Sequence, residues 1–199
     1  LPAELPSRLA AANIRAIFYN PTLNSMKIVL LGYMGSGKST VGQELAKALK
    51  LPFKDLDQEI EAQMGVSVSE IFDQKGELFF RKKEAVVLEQ LLASSAGFVL
   101  SLGGGTPCYG NNMGLIEAAD KATSIYLKAK VAELTLRLKR GQEQRPLLAG
   151  RSEDDLMEFI AKHLFERMPF YERADHVVEV SSKSVDQLVE ELKGLLQVG

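Results

Sequence analysis

Short apolar runs alternate with longer amphipathic stretches along this chain, and their order sets the first structural expectations. Ile28 to Leu31 is an apolar, partly β-branched run that stops at a glycine, and it reads as a short buried strand. Lys38 to Lys50 then carries Val41, Leu45, Ala48 and Leu49 at helical spacing. FKDLD reads as a second strand ending in two carboxylates, Asp55 and Asp57, and QEIEAQMG as a helix closed by Gly65. Ser67 or Ser69 is placed to cap another short helix, and Glu77 to Leu92 reads as a strong one. Phe98 to Leu102 and Thr123 to Leu127 are expected as the third and fourth strands, with a helix from Val131 to Arg140. Ser152 and Asp155 cap a helix that is apolar at Leu156, Phe159, Ile160, Leu164 and Met168. That helix is expected to stop before Pro169, because a proline disfavours helical backbone in the residue preceding it. His176 to Val180 is the fifth strand and Ser184 to Gln197 an amphipathic closing helix. Strands alternating with helices imply a parallel sheet with right-handed crossovers and helices on both faces.

The helix from Glu77 repays a closer look. At 100° per residue, Leu78, Ala85, Leu88, Leu91 and Leu92 share one arc, while Lys82, Lys83, Glu89 and Gln90 lie together elsewhere. Arg81 and Glu84 fall inside the apolar arc. An arginine there is costly unless it is paired or meets an anion. Two readings follow: a structural ion pair with Glu84, or an arginine that reaches a substrate carboxylate while Glu84 steadies it.

Composition narrows the class without changing this outline. The chain has 199 residues, 46% hydrophobic and 25% charged, which suits one domain with a sizeable core. The net charge of -2 and the lack of a basic block argue against a nucleic-acid partner, and no apolar run is long enough to span a bilayer. A single cysteine, Cys108, permits no internal disulfide and is read as a small filler in a reducing, cytoplasmic setting. His163 and His176, far apart, make no zinc constellation with it, and His163 reads as an ordinary surface or boundary residue. Residues 1–25 are read as an extension of unknown role ahead of a start at Met26, with a short helix admissible from Ala10 to Tyr19. A single domain, probing no second core or repeat, is expected over 26–199.

The chemistry begins between the first strand and the first helix. Gly32-x-x-x-x-Gly37-Lys38-Ser39 is a complete phosphate-loop pattern in the required strand–loop–helix setting. Its glycines let successive backbone N–H groups turn inward round a polyphosphate. Lys38 supplies a cation to the β- and γ-phosphates, Ser39 a hydroxyl to Mg²⁺, and the helix N-terminus a favourable dipole. A nucleoside triphosphate is the expected ligand. Asp55 is a candidate for water-mediated contact with Mg²⁺, and Asp57 is either the cap of the helix it precedes or a substrate contact. Gly103-Gly104-Gly105, directly after the third strand, is either an ordinary loop or a place of close backbone approach to something small. That strand lacks a terminal aspartate and no guanine signature is present, so the carboxylate work falls to Asp55 and Asp57. Gly141 to Arg151, polar and glycine-flanked, reads as a mobile lid (about 140–152) that carries Arg145. Arg167 sits in the last expected turn of its helix, where the dipole alone would favour a cation.

Taken together, GYMGSGKST, the DLDQEIE run, FRKKE, SLGGGTP, RPLLAGR and ERMPFYERAD resemble the shikimate kinase family, in family order, over roughly residues 26 to 180. The resemblance implies a P-loop NTPase fold, a three-layer α/β/α arrangement on a five-stranded parallel sheet of order 2-3-1-4-5 with a mobile lid. It implies transfer of the γ-phosphoryl group of ATP, with Mg²⁺, to the 3-hydroxyl of shikimate, and a cytoplasmic monomer is expected. Carried onto this sequence, the loop residues Gly35, Ser36, Gly37, Lys38, Ser39 and Thr40 hold the nucleotide, with Arg140 on its adenine side. Asp57 binds the accepting hydroxyl and serves as a base or its stand-in, with Arg81 and Arg167 on the shikimate carboxylate. Gly103, Gly104 and Gly105 close over the ring, and Arg145 comes from the lid onto the transferring group. Two alternatives stay open at this stage, another small-metabolite kinase such as gluconate kinase, and a non-catalytic nucleotide-binding module.

Overall fold

The computed structural model describes residues 23–140 and 150–198. Five parallel strands, β1 (Lys27–Leu31), β2 (Phe53–Asp55), β3 (Phe98–Ser101), β4 (Ala122–Lys128) and β5 (His176–Glu179), form one sheet in the order β2-β3-β1-β4-β5. β1 is central, with Ile28 facing Val99 on one side and Thr123 on the other. Every side chain of β1 is buried, so helices cover both faces, and this explains why the strand reads as a continuous apolar run. β5 lies at an edge and alternates accordingly, with only Val178 of its four residues buried.

Among the described residues seven α-helices surround this sheet: α1 (Lys38–Leu49), α2 (Leu56–Met64), α3 (Val68–Leu92), α4 (Asn112–Ala118), α5 (Val131–Lys139), α6 (Glu153–Tyr171) and α7 (Val185–Leu195). α1 packs on β3 and β2 and against α7, while α3 packs with α2 and α4. Val41, Leu45 and Leu49 of α1 are buried as its spacing predicts, but Ala48 faces solvent and Ala46 takes its place inside. α3 begins with a full capping box between Ser67 and Glu70 and breaks at Gly76, whose φ of 77° and ψ of 169° are not helical. It is thus two helices end to end, the short one capped by Ser67 and the long one starting at Glu77.

Three expectations are corrected. Leu78 is 60% exposed, and the buried face of α3 is instead Phe80, Glu84, Val87, Leu88 and Leu92, which shifts the arc so that Glu84 lies at its centre and Arg81 at its edge. The second helix starts at Leu56, capped by Asp55, whose side chain accepts from the Asp57 N–H; Asp57 therefore sits in the first turn and is not the cap. α6 continues through Pro169 to Tyr171. A proline inside a helix costs about 3 kcal/mol, but here the extra turn buries Tyr171 completely and its hydroxyl donates to the Gly104 carbonyl at 2.6 Å. The stretch from Thr106 to Ala118, which carries no sequence-predicted element, forms a short 3-10 turn (Thr106–Cys108) and α4. No helix among the described residues is long and apolar enough to cross a membrane.

Candidate active site

The site forms where the carboxyl ends of β1, β2 and β3 meet the N-termini of α1 and α2, the crevice that open α/β sheets offer to ligands. The phosphate loop owes its shape to glycine at two levels. Gly32, Gly35 and Gly37 adopt φ values of 145°, 80° and 96°, where other residues are strained. Gly32 is also confined by space, since a Cβ there would stand 2.7 Å from the Leu127 carbonyl oxygen. Lys38 Nζ donates to the carbonyls of Gly32 and Tyr33 at 2.9 and 3.0 Å, so the ammonium is held across the mouth of its own loop. Ser36 Oγ is buried and has no hydrogen-bond partner among the described residues, an orphaned donor inside a loop rich in inward-turning glycine backbone. Ser39 Oγ donates to Asp55 Oδ2 at 3.2 Å and lies 3.4 Å from Ser101 Oγ. Thr40 is exposed on the opening turn of α1.

A second cluster gathers round the three glycines after β3. A Cβ on Gly103 would stand 3.0 Å from Thr106 Oγ1, 3.4 Å from Asp57 Oδ1 and 3.5 Å from Glu84 Oε1. One on Gly104 would stand 3.4 Å from Arg167 Nη1, and one on Gly105 only 2.8 Å from Arg81 Nη2. Side-chain space at this turn is therefore already taken by two arginines and two carboxylates. The turn is packed closely against these side chains of its own protein, which an ordinary exposed loop would not be. Gly105 has an ordinary φ of −88°, so space and not conformation demands glycine there. Gly105→Ala is expected to push the Arg81 guanidinium aside and to lower the melting temperature by a few degrees, as calorimetric melting would show.

Arg81 pairs with Glu84, Nη1 to Oε2 at 3.1 Å, and reaches Glu77 through Nε at 3.4 Å. The Glu84 side chain is 1% exposed against 16% for Arg81. Thr106 Oγ1 donates to Glu84 Oε1 at 2.6 Å and the Thr106 carbonyl accepts from Asn112 Nδ2 at 2.9 Å, so a buried network fixes the arginine from behind. Thr106, Asn112 and Tyr171 were not singled out by sequence reasoning. The only local signal was a threonine directly after the glycines. Cys108 is half-buried, and burial pushes its thiol up in spite of the nearby charges of Arg167 and Arg81, which fits a filler.

Asp57 is the electrostatic outlier of the site. Burial, then the charges of Asp55 and Glu84, push its carboxyl up to about 6, while Lys38 pulls in the other direction. Such a group is ionised at neutral pH yet close enough to the operating range to take up a proton. On the nucleotide side, Arg140 is exposed at the end of α5. Arg137, one turn earlier, hydrogen-bonds the loop: its Nη1 donates to the Gly35 carbonyl at 3.1 Å and its Nη2 pairs with Glu133. Arg137 lines a cleft with Gly35, Gly37, Thr40, Lys183 and Val185. Arg145 lies outside the described residues, as does most of the expected lid.

A family model described as shikimate kinase matches residues 34–197. The chain belongs to the shikimate kinase family. It is 47% identical over 170 residues to a shikimate kinase from Flavobacterium johnsoniae, covering 85% of this chain and 98% of that one. Among solved structures it is similar to the shikimate kinase of Bacteroides thetaiotaomicron, with a TM-score of 0.79 at 35% identity over 86% of this chain and 98% of the other. The shikimate kinase of Acinetobacter baumannii, solved in complex with shikimate, gives a TM-score of 0.75 at 32% identity, covering 89% and 97% of the two chains. Membership makes the chain an ATP-dependent kinase with a P-loop α/β fold, and the strand order implied by the motifs is the one observed. A gluconokinase from Sinorhizobium meliloti shares only the fold, at 21% identity and a TM-score of 0.57.

Proposed function

We propose that this chain transfers the γ-phosphoryl group of ATP to the 3-hydroxyl of shikimate. The observation that carries this reading is the convergence of Asp57, Arg81 and Arg167 on the Gly103–Gly105 turn, beside a complete phosphate loop. Two arginines suit a carboxylate, the aspartate suits a hydroxyl, and bare backbone suits a small ring packed against it. Phosphoryl transfer asks mainly for positioning and charge neutralisation. Lys38 and the loop N–H groups, with Ser36 and Thr40, hold the phosphates, and Asp57 accepts or orients the hydroxyl proton. Arg145 supplies charge from the lid to the transferring group, and Arg140 or Arg137 borders the nucleotide on its outer side. Ser39 and Asp55 present oxygen donors at the end of the loop, the donor type that suits Mg²⁺ shared with a nucleotide's phosphates. Bound there, the ion would neutralise phosphate charge. We further propose a monomer that acts on these two small molecules in the cytoplasm, without a nucleic-acid or membrane partner.

A coupled assay offering shikimate, gluconate and nucleoside monophosphates as ATP-dependent acceptors tests the reading. Turnover with shikimate at least a hundredfold above the others is expected, because its ring holds carboxylate and hydroxyl at a fixed separation, whereas open-chain gluconate must freeze its carbon chain to present them and a nucleoside monophosphate has no carboxylate. Equal or better turnover of gluconate would overturn it. Lys38→Ala is expected to lower kcat by about 10²- to 10³-fold in a normally folded protein, since the lysine stabilises charge on the phosphates. Its aliphatic part is buried against the loop, so circular dichroism accompanies the kinetics.

A further inference from the structure

Tyr33, in the phosphate loop, makes three contacts that the acceptor reading leaves unused. Its carbonyl accepts from Lys38 Nζ at 3.0 Å. Its ring lies under Arg167, with Cζ 5.8 Å from the ring centroid. Its hydroxyl is 3.0 Å from His163 Nδ1, and the two rings meet edge-on at 88° with centroids 5.7 Å apart. The side chain is 1% exposed, so these contacts fix it completely. Burial pushes the Tyr33 hydroxyl up to about 12 and, with the charge of Arg167, moves His163 below its usual range, against a weaker pull from Glu166. Both groups are then neutral near pH 7, and one proton lies between the Tyr33 oxygen and His163 Nδ1, the imidazole tautomer deciding which of the two donates.

We propose that Tyr33 and His163 are positioning residues that hold Arg167 toward the acceptor and make its setting depend on what occupies the phosphate loop. The proposal rests on the reading above, in which Arg167 meets the acceptor's carboxylate. His163 and Arg167 stand one turn apart on α6, so fixing the imidazole fixes the turn from which the arginine springs. An aromatic face under a guanidinium restricts its tilt, which a flexible side chain needs before it can make a two-pronged contact. His163 is itself braced by Phe159, with ring centroids 5.1 Å apart. The link to the nucleotide runs through Lys38. A phosphate oxygen carries full negative charge and competes with the neutral carbonyls of Gly32 and Tyr33 for the ammonium protons. Loading the loop therefore changes the hold on the peptide from which the Tyr33 ring hangs, and the ring, Arg167 and His163 resettle together. In the reverse sense, a carboxylate that neutralises Arg167 weakens its attraction to the ring. Linkage requires the two effects to be equal in factor.

The test is calorimetric titration of shikimate, with and without a non-hydrolysable ATP analogue, into the wild-type chain and into Tyr33→Phe, His163→Leu and His163→Asn. In the wild type the analogue is expected to tighten shikimate about fivefold or more, the lower end of ordinary couplings. Tyr33→Phe keeps the ring and loses the hydrogen bond, and His163→Leu removes the tyrosine's partner. Each should bring the coupling factor to within about twofold of one and raise the acceptor KM about fivefold, with the KM of ATP and the melting temperature nearly unchanged. His163→Asn, whose amide can donate or accept near the position of Nδ1, should restore most of the coupling. Undiminished coupling in Tyr33→Phe and His163→Leu overturns the proposal, as does a wild-type factor near one. Early melting with loss of both ligands would show a merely structural role and overturn it too. A wild-type chain that binds no shikimate at all overturns this proposal together with the function it rests on, whereas undiminished coupling in the variants leaves that function standing.

Discussion

Asp57→Asn is expected to lower kcat by about 10²- to 10⁴-fold while raising the melting temperature. The loss follows from the role proposed for Asp57, a carboxylate that takes up or orients the hydroxyl proton. The gain follows from linkage. Asp57 ionises at about 6 in the folded chain against 3.8 in its ordinary state, so the folded protein binds this proton more tightly than the unfolded one. The stability that comes with the bound proton is complete below about pH 3.8 and is lost as pH rises through about 6. At pH 7 the wild type therefore carries the full cost of the buried charge. Two units of displacement correspond to about 3 kcal/mol, and because the side chain is only partly withdrawn from water, about 1–3 kcal/mol is a fair expectation. In a chain of this size that raises the melting temperature by roughly 2–10 °C. Calorimetric melting from pH 7 down to pH 4 checks the sign: the advantage of the asparagine variant should shrink on acidification. A variant equally active, or no more stable at pH 7, contradicts the assignment. In the wild type, kcat/KM for the acceptor should rise with pH and level off above about 6.

Arg81→Ala is expected to weaken acceptor binding by roughly 30-fold to several thousand-fold, the equivalent of about 2–5 kcal/mol for one partner of a charge-assisted contact. Binding of an ATP analogue without acceptor should barely change, because Arg81 belongs to the glycine turn and not to the phosphate loop. The substitution also strands Glu84, whose side chain is 1% exposed and whose other partner is Thr106. Leaving a buried carboxylate unpaired typically costs about 3–5 kcal/mol, enough to confound a binding measurement. Arg81→Ala combined with Glu84→Gln removes that cost and separates the two effects: folding should recover and acceptor affinity should not. Arg81→Lys should restore only part of the affinity, since an ammonium keeps the charge and loses the planar fork. Near-normal shikimate affinity in the folded double variant would return Arg81 to a structural ion pair and leave the acceptor site without its anchor.

Local pattern was enough for much of this molecule. The alternation of strands and helices was readable because each side-chain period is a property of a few neighbouring residues. The phosphate loop was readable because its chemistry is contiguous, with the glycines, Lys38 and Ser39 falling within eight residues. Arg81 stood out for a related reason, a charge where the helical period calls for apolar surface, although the arc itself was drawn off centre. Leu78 was counted inward and lies in solvent, because periodicity gives the angle between residues but not which arc meets the sheet.

The sequence by itself determined the fold class, the nucleotide loop and the presence of an acidic and two basic residues suited to a small anionic acceptor. Only the tertiary structure decided how those residues meet. Asp57, Glu84, Gly103 and Thr106 come from three separate segments that meet only once β2, α3 and β3 are packed together, and the burial this brings, then the charges of Asp55 and Glu84, raises Asp57 to about 6. The passage of α6 through Pro169 was decided the same way, by a buried tyrosine outweighing a local steric preference. So was the exchange of Asp57 for Asp55 as helix cap. His163 is the plainest case. Its helical spacing alone marks it as a boundary residue, and its contact with Tyr33, 130 residues away in sequence and 3.0 Å away in space, is made by the fold. Side-chain periods and short motifs record interactions between near neighbours, whereas desolvation and charge depend on everything within a few ångströms, whichever segment supplies it.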